Sequence, residues 1–201
     1  VPNGVDLEQF HPTGQPCAPN SLIFVGHLRV LHNVDAATYL AQDVLPLVLR
    51  EVPTCTLNIV GADPAPQIQR LGQSAAMTVT GFVPDLNAHL NRASIFVAPL
   101  RFAAGIQIKV LEAMAAGRPV ITTSLVNDGL GAQPGRELLV ADDATATAQH
   151  IVRLLADTSL RDQMGRAGRQ FVQERYSWIH AVERMRTIDK NLRQGRDSAS
   201  V

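Results

Sequence analysis

Residues 95–123 read IFVAPLRFAAGIQIKVLEAMAAGRPVITT, and this stretch decides the fold class. Apolar and β-branched residues fill Ile95–Leu100 and Pro119–Thr123, which predicts two buried strands. Between them, Ile106–Ala116 carries apolar residues at helical spacing and is followed by Gly117, a residue type that commonly ends helices. A strand, a helix and a second strand in this order are typical of a βαβ unit in a parallel sheet.

The same alternation continues on both sides of this unit. Further strands are predicted at Leu22–Gly26, Leu57–Gly61 and Met77–Val83, with a weaker one at Leu138–Ala141. Further helices are predicted at Asn33–Glu51 with a bend at Pro46, Pro66–Gln73, Asp85–Arg92, Thr145–Ala156, Ser159–Arg175 with a Ser159–Asp162 capping box, and Trp178–Leu192. We therefore expect an α/β fold with a Rossmann-like parallel sheet of about six strands, helices on both faces, and C-terminal helices after it.

Composition divides the chain into three parts. Residues 1–20 open with the turn-forming run VPNGVD and are interpreted as an interdomain linker and lead-in. Residues 21–193 hold the predicted strands and helices and form one domain. Residues 194–201 are small and polar, so we expect a disordered tail. The arginines that dominate the last third of the chain suit either a solvated helix face or a contact surface.

The composition also excludes several classes of function. The 18 Lys and Arg residues balance 18 Asp and Glu residues, so no excess of positive charge favours nucleic acid as a partner. Cys17 and Cys55 lack the spacing of a disulfide scaffold or a zinc motif, and no Asp-x-Asp or other ligand cluster suggests a metal. We expect neither metal nor cofactor. Because no apolar run approaches the roughly 20 residues that span a bilayer, a cytoplasmic location is predicted.

Ligands of an open parallel sheet bind beyond the carboxyl ends of its strands. No strand is followed by a Gly-x-Gly-x-x-Gly or a P-loop motif, which argues against a dehydrogenase and a P-loop NTPase. The loop after Leu100 is the better candidate, because Gly105 allows close approach of the backbone and the amides that follow it, those of Ile106 and Gln107, begin a helix and favour an anion.

Lys109 and Glu112 lie three residues apart and therefore share one face of this helix. This arrangement suits a diphosphate next to the lysine and sugar hydroxyls next to the carboxylate. A simple intrahelical ion pair is the alternative interpretation of the same spacing. Arg101, at the start of the loop, is a second candidate cation for a diphosphate.

The chain resembles the C-terminal domain of the glycosyltransferase group 1 family, which is family 4, retaining, with the GT-B fold. Five segments carry the resemblance in the family's order: Val1–Asp6 as the interdomain linker, Phe24–Gly26 and Ile59–Gly61 as the first two strands, Thr80–Val83 beside the base, and Leu111–Val120 as the best-known signature.

The resemblance implies a nucleotide-diphosphate sugar, a UDP- or GDP-sugar, bound in this half near Gly26. Glu112 would hold the ribose, and the backbone of Phe82 and Val83 would pass the base. The glycosyl group would go, without metal, to an acceptor held by an N-terminal domain, so we expect this part alone to be inactive. Polysaccharide or glycolipid synthesis is the expected setting, which leaves peripheral association with the inner face of the plasma membrane open.

Three residues depart from the family pattern. Ala104 occupies the position of its first glutamate, and His27 and His32 those of its diphosphate-binding Arg and Lys. Arg101 and Lys109 are the cations that we expect to replace them, and the segment from Pro99 to Lys109 resembles a branch of sugar transferases linked to exopolysaccharide loci. Two alternatives stay open: a degenerate, non-catalytic nucleotide-binding module and a nucleotide-sugar epimerase.

Overall fold

A computed structural model of the chain describes residues 4–102, 105–178 and 182. Within these residues, six strands form one sheet in the order β3-β2-β1-β4-β5-β6, and every adjacent pair is parallel. The strands are β1 (Ser21–Val25), β2 (Thr56–Val60), β3 (Met77–Val79), β4 (Ile95–Ala98), β5 (Val120–Thr122) and β6 (Leu139–Val140). The predicted Rossmann-like α/β class is confirmed.

Eight α-helices accompany the sheet in the described part of the chain. They are α1 (Leu31–Tyr39), α2 (Leu45–Glu51), α3 (Pro66–Leu71), α4 (Leu86–Arg92), α5 (Ile108–Ala115), α6 (Ser124–Leu130), α7 (Ala144–Ala156) and α8 (Thr158–Arg175). Helix α2 packs against α7, and α5 packs against α8. Because right-handed crossovers that run in opposite directions from the centre place their helices on opposite faces, both faces of the sheet are covered.

The central strands are buried along their whole length. Every residue of β1, β4 and β5 is buried, and Phe24 and Phe96 are among the largest side chains that solvent does not reach. Continuous apolar runs of this kind are expected where helices cover both faces of a parallel sheet. The core therefore fixes the carboxyl ends of the strands, from which the site is built.

The predicted helix from Asn33 to Glu51 is interrupted. Helix α1 ends at Tyr39, a π-helical turn covers Leu40–Val44, and α2 begins at Leu45. The π turn places Pro46 in the first turn of α2, where its missing N–H is not required. Pro46 thus starts a new helix, and the prediction of one bent helix was wrong in this detail.

Three further predictions need correction. The strand at Met77–Val83 ends at Val79, because Gly81 has a φ of +75° that no strand accommodates. The Ser159–Asp162 capping box is wrong, since the Asp157 carboxylate accepts the Leu160 N–H at 2.9 Å and α8 begins at Thr158. Helix α6 was not predicted, because its sequence SLVNDGL buries only two residues and has the composition of a loop.

The N-terminal lead-in packs on the domain. Val5 and Phe10 belong to the core, and the Val5 N–H donates to the Tyr176 carbonyl at 2.8 Å. The Arg169 guanidinium donates to the carbonyls of Phe10 and Ala115, which ties the lead-in to α5 and α8. The predicted tail at 194–201, and the predicted helix at Trp178–Leu192 apart from residues 178 and 182, lie outside the described residues.

Candidate functional site

An open cleft of about 760 Å³ lies at the carboxyl ends of the central strands. Residues that follow β1, β2 and β3 line it, together with the start of α5. The chain runs from β1 to β2 in one direction and from β4 to β5 in the other, so the cleft lies where the strand order reverses. This is the position at which open α/β sheets bind ligands.

Most of the candidate residues come together in this cleft. Those that line it are Gly26, His27, His32, Phe82, Val83, Ile106, Gln107, Lys109 and Glu112. Gly105 is exposed on the preceding turn and does not line the cleft. Arg101 forms an ion pair with Asp35, and Ala104 lies outside the described residues.

Two glycines form the floor of the cleft. A Cβ atom on Gly61 would lie 1.7 Å from the Gly26 carbonyl oxygen, and the φ of Gly61 is +151°. A Cβ atom on Gly26 would lie 2.7 Å from Cγ of Asn33. The backbones of the first two strand ends approach each other this closely only because neither residue carries a side chain.

Two helices begin at the cleft with unpaired amides. Helix α5 starts two residues later than predicted, at Ile108, because Gly105 has a φ of +75° and Gln107 is extended. Among the described residues, no acceptor pairs with the N–H groups of Ile108 and Lys109. The same holds for Leu31 and His32 at the start of α1. Such amides and the helix dipole favour an anion.

The Lys109 ammonium is held inside the cleft by a neutral partner. It donates a hydrogen bond to Oδ1 of Asn33 and lies 5.6 Å from the centre of the Phe24 ring. Burial lowers the pKa of Lys109 to about 8, although the nearby Glu112 acts in the opposite direction. Removal of this cation from water is costly, so an anionic ligand would be stabilised beside it.

Glu112 is half-buried and lines the cleft. Burial raises the pKa of its carboxyl group, while Lys109 lowers it. Within the described residues, the ion pairs are His27–Asp63 and Arg101–Asp35, so the intrahelical ion pair of Lys109 with Glu112 is absent. No described donor makes a hydrogen bond to the Glu112 carboxylate, which can therefore accept from ligand hydroxyls.

Comparison with known proteins identifies the family. Residues 19–157 match the family model described as glycosyl transferases group 1. The chain belongs to this family. The resemblance predicted from the sequence is thus confirmed.

Two curated relatives illustrate its place among the group 1 glycosyltransferases. The chain is 31% identical, over 89% of its length, to the GDP-mannose-dependent alpha-(1-6)-phosphatidylinositol monomannoside mannosyltransferase of Mycobacterium tuberculosis, of which it covers 52%. It is 26% identical, over 78% of its length, to an uncharacterized 44.6 kDa protein in the cps region of Klebsiella pneumoniae, of which it covers 42%. The chain spans about half the length of these relatives.

Solved structures share the fold. Anabaena Alr3699/HepE in complex with UDP and glucose matches with a TM-score of 0.71 at 14% identity, over 99% of this chain and 56% of that one. The parallel sheet with its helices corresponds to the C-terminal domain of GT-B glycosyltransferases.

The two histidines at the cleft, His27 and His32, differ in their surroundings. His27 Nε2 lies 3.2 Å from Oδ2 of Asp63 at the rim of the cleft. Burial, and then the charge of Lys109, lower the pKa of His32 below its ordinary value, so its imidazole is neutral at pH 7. His32 offers a hydrogen bond and not a charge.

Arg101 is placed differently from the sequence-based expectation. Its guanidinium donates to both carboxylate oxygens of Asp35 and lies 4.6 Å from the centre of the Tyr39 ring. Its charge is therefore paired with a carboxylate on α1, and neither of these two residues lines the cleft. Lys109 is the cation that the structure places in the cleft itself.

Asn33 is a cleft residue that sequence reasoning missed as a candidate. It is only 5% exposed, and its side chain contacts both Lys109 and the His27 carbonyl. The available signal was a polar residue in the first turn of the helix that follows a buried strand. That signal does not reveal the partner in α5, which is 76 residues away in sequence.

The described residues contain neither a cluster of metal ligands nor a helix that could span a membrane. No group of three His, Cys, Asp or Glu side chains is arranged to hold a metal ion. No helix in the described ranges combines the length and the apolar character needed to cross a bilayer. Catalysis without a metal stays a prediction.

Proposed function

We propose that this chain is the donor-binding half of a retaining glycosyltransferase. The cleft binds the nucleotide diphosphate of a UDP- or GDP-sugar, and an N-terminal domain of the longer protein holds the acceptor. One observation carries this proposal: among the described residues, two helix starts whose amides have no acceptor, the Lys109 ammonium on a neutral partner and the Glu112 carboxylate without a hydrogen bond lie at the same cleft.

Each part of the nucleotide has a complementary surface. The pyrophosphate accepts hydrogen bonds from the amides of Ile108 and Lys109 and from the Lys109 ammonium, which stabilise the charge that develops on the leaving group. The Glu112 carboxylate accepts hydrogen bonds from the ribose hydroxyls. The exposed Phe82 and the backbone of Val83 lie where the base would pass. Cations and helix dipoles supply this stabilisation, so no metal is required.

The relatives support this proposal. One mannosyltransferase is GDP-mannose-dependent by name, and one structural neighbour was solved with UDP and glucose. The former acts on a glycolipid and another relative lies in a cps region, which supports polysaccharide or glycolipid synthesis. A cytoplasmic site of action, at or near the membrane, agrees with such acceptors.

A degenerate nucleotide-binding module is the second candidate. Ala104 at the position of the family's first glutamate and the neutral His32 favour it. The longer protein distinguishes the two candidates: an enzyme releases free nucleoside diphosphate from the donor in the presence of acceptor, and a module only binds. No observation in the structure favours the epimerase alternative.

Isothermal titration of the chain with UDP and GDP tests the donor site. We expect weak binding, because half of the cleft stays open to water. Lys109→Ala and Glu112→Ala are expected to reduce the affinity about tenfold or more, since hydrogen bonds to charged groups contribute roughly 1.5–3 kcal/mol.

Two control variants accompany this titration. Arg101→Ala removes a cation that Asp35 already pairs, and Glu174→Ala removes a carboxylate on α8 that faces Gln170. Both are expected to bind like the wild type. A wild-type chain that binds neither nucleotide, or Lys109→Ala and Glu112→Ala variants that bind equally well, would contradict the proposed function.

A further inference from the structure

Asn33 makes two hydrogen bonds that join the two helix starts at the cleft. Its Oδ1 accepts from the Lys109 ammonium, and its Nδ2 donates to the His27 carbonyl at 3.1 Å. The chemistry fixes this orientation, because an ammonium can only donate and a carbonyl can only accept. The amide thus connects the loop after β1 with the first turn of α5.

The site is built around this amide. Asn33 is 5% exposed, and Gly26 leaves it room, since a Cβ atom at position 26 would lie 2.7 Å from its Cγ. Neither aspartate nor leucine could replace it. A carboxylate at pH 7 has no donor for the His27 carbonyl, and an alkyl side chain has no acceptor for the ammonium.

The neutrality of Asn33 matters for the charge of the cleft. A carboxylate in this position would hold Lys109 equally well but would cancel its charge, whereas an amide fixes the ammonium and leaves its charge for a ligand. A cation that is already positioned loses less side-chain entropy when it binds an anion.

We propose that Asn33 is a positioning residue that holds the Lys109 ammonium and the loop at His27 in the arrangement that receives the pyrophosphate. This inference rests on the proposed function. Asn33 acts through Lys109, so its substitution affects ligands with a diphosphate and leaves ligands without phosphate unaffected.

The test compares UDP with uridine in titrations of Asn33→Asp and of a matched control, Asn91→Asp. Asn91 is also 5% exposed, and its amide also donates to backbone carbonyls, but it accepts from a backbone N–H instead of an ammonium, lies on α4 and does not line the cleft. We expect Asn33→Asp to lower the affinity for UDP tenfold or more without a change for uridine, and Asn91→Asp to change neither.

The pH dependence of the affinity for UDP is a second measurement, and a purely structural role of Asn33 would leave it unchanged. The wild-type affinity for UDP is expected to fall above about pH 8, where Lys109 loses its proton. Burial and Lys109 lower the pKa of His32 further below that range, so His32 does not titrate there. Glu112 faces the same ammonium, and burial raises the pKa of its carboxyl group while Lys109 lowers it. In Asn33→Asp the new carboxylate moves the fall to higher pH. Asn33→Ala, which removes the amide without adding charge, is expected to lower the UDP affinity severalfold and serves if Asn33→Asp does not fold.

The outcomes separate the two hypotheses. A wild-type chain that binds no nucleotide contradicts the proposed function before Asn33 is tested. A wild type that binds UDP, with both Asn33 variants equal to it, overturns the role of Asn33 alone. Equal losses for UDP and uridine, or equal losses in Asn33→Asp and Asn91→Asp, also overturn it, because they indicate a general effect on folding.

Discussion

Gly61 determines how closely β1 and β2 approach at the floor of the cleft. We expect Gly61→Ala to lower the free energy of unfolding by about 3 kcal/mol or more, because its Cβ would overlap the Gly26 carbonyl at 1.7 Å and the backbone would remain at positive φ. Gly14→Ala is the control, since Gly14 also has a positive φ of +73° but no neighbour within 4 Å, and about 1 kcal/mol is expected there. Urea denaturation measures both, and equal losses would contradict the predicted overlap.

Lys109 gives the free protein a predictable dependence on pH. Its pKa is about 8 in the folded chain and 10.5 ordinarily, so between these values the unfolded chain binds more protons and the free energy of unfolding rises with pH. The contribution is at most about 3 kcal/mol, from 1.36 kcal/mol per pKa unit. The difference in the free energy of unfolding between the wild type and Lys109→Met should therefore change in favour of the wild type from pH 7 to pH 10. A difference that is independent of pH would show that Lys109 is not desolvated.

Residue pairs close in sequence were predicted, and contacts between residues far apart in sequence were not. Lys109 and Glu112 were found because their spacing on one helix is visible in the sequence. The partner of Arg101 was not, since Asp35 lies 66 residues away and only the tertiary structure brings them together. The charge state of His32 depends on burial, which no local pattern specifies.

At the scale of elements, the start of α8 tests the corrected cap. Asp157→Ala removes the carboxylate that accepts the Leu160 N–H and is expected to cost about 1 kcal/mol. Ser159→Ala, in the exposed first turn, is expected to change the free energy of unfolding by less than 0.5 kcal/mol in either direction, as roughly holds for surface sites. Thermal or urea denaturation measures the pair. A larger loss of unfolding free energy for Ser159→Ala than for Asp157→Ala would instead support the Ser159–Asp162 capping box.

Long periodic elements were predicted more reliably than their ends. The helices between Asp143 and Arg175 were recognised from their apolar spacing, and only their first residues shifted. The π turn at Leu40–Val44 escaped because a single proline is compatible with a bend, a break or a restart. Helix α6 was not predicted because short helices owe their stability to tertiary packing rather than to their own sequence.

For the molecule as a whole, alternating strands and helices restrict the topology strongly. Parallel strands need crossover connections of one hand, so few sheet orders suit six strands joined by helices. The observed order reverses between β1 and β4, and this single feature places the loops after Gly26 and Leu100 on opposite sides of one cleft. The sequence thus predicted which loops meet at the cleft better than the contacts within it.

Helix α8 lies outside the matched family region, which ends at residue 157, yet it supports the helix that carries Lys109 and Glu112. Gly165 lets α8 approach the carbonyl of Gly117 so closely that a methyl group there would overlap it, and Arg169 reaches the end of α5. Cloning boundaries drawn at the family limits would therefore remove the helix that packs behind the cleft. A recombinant version made for ligand screening should run from Val5 or earlier to at least Ser177, because these two residues form a parallel β-bridge.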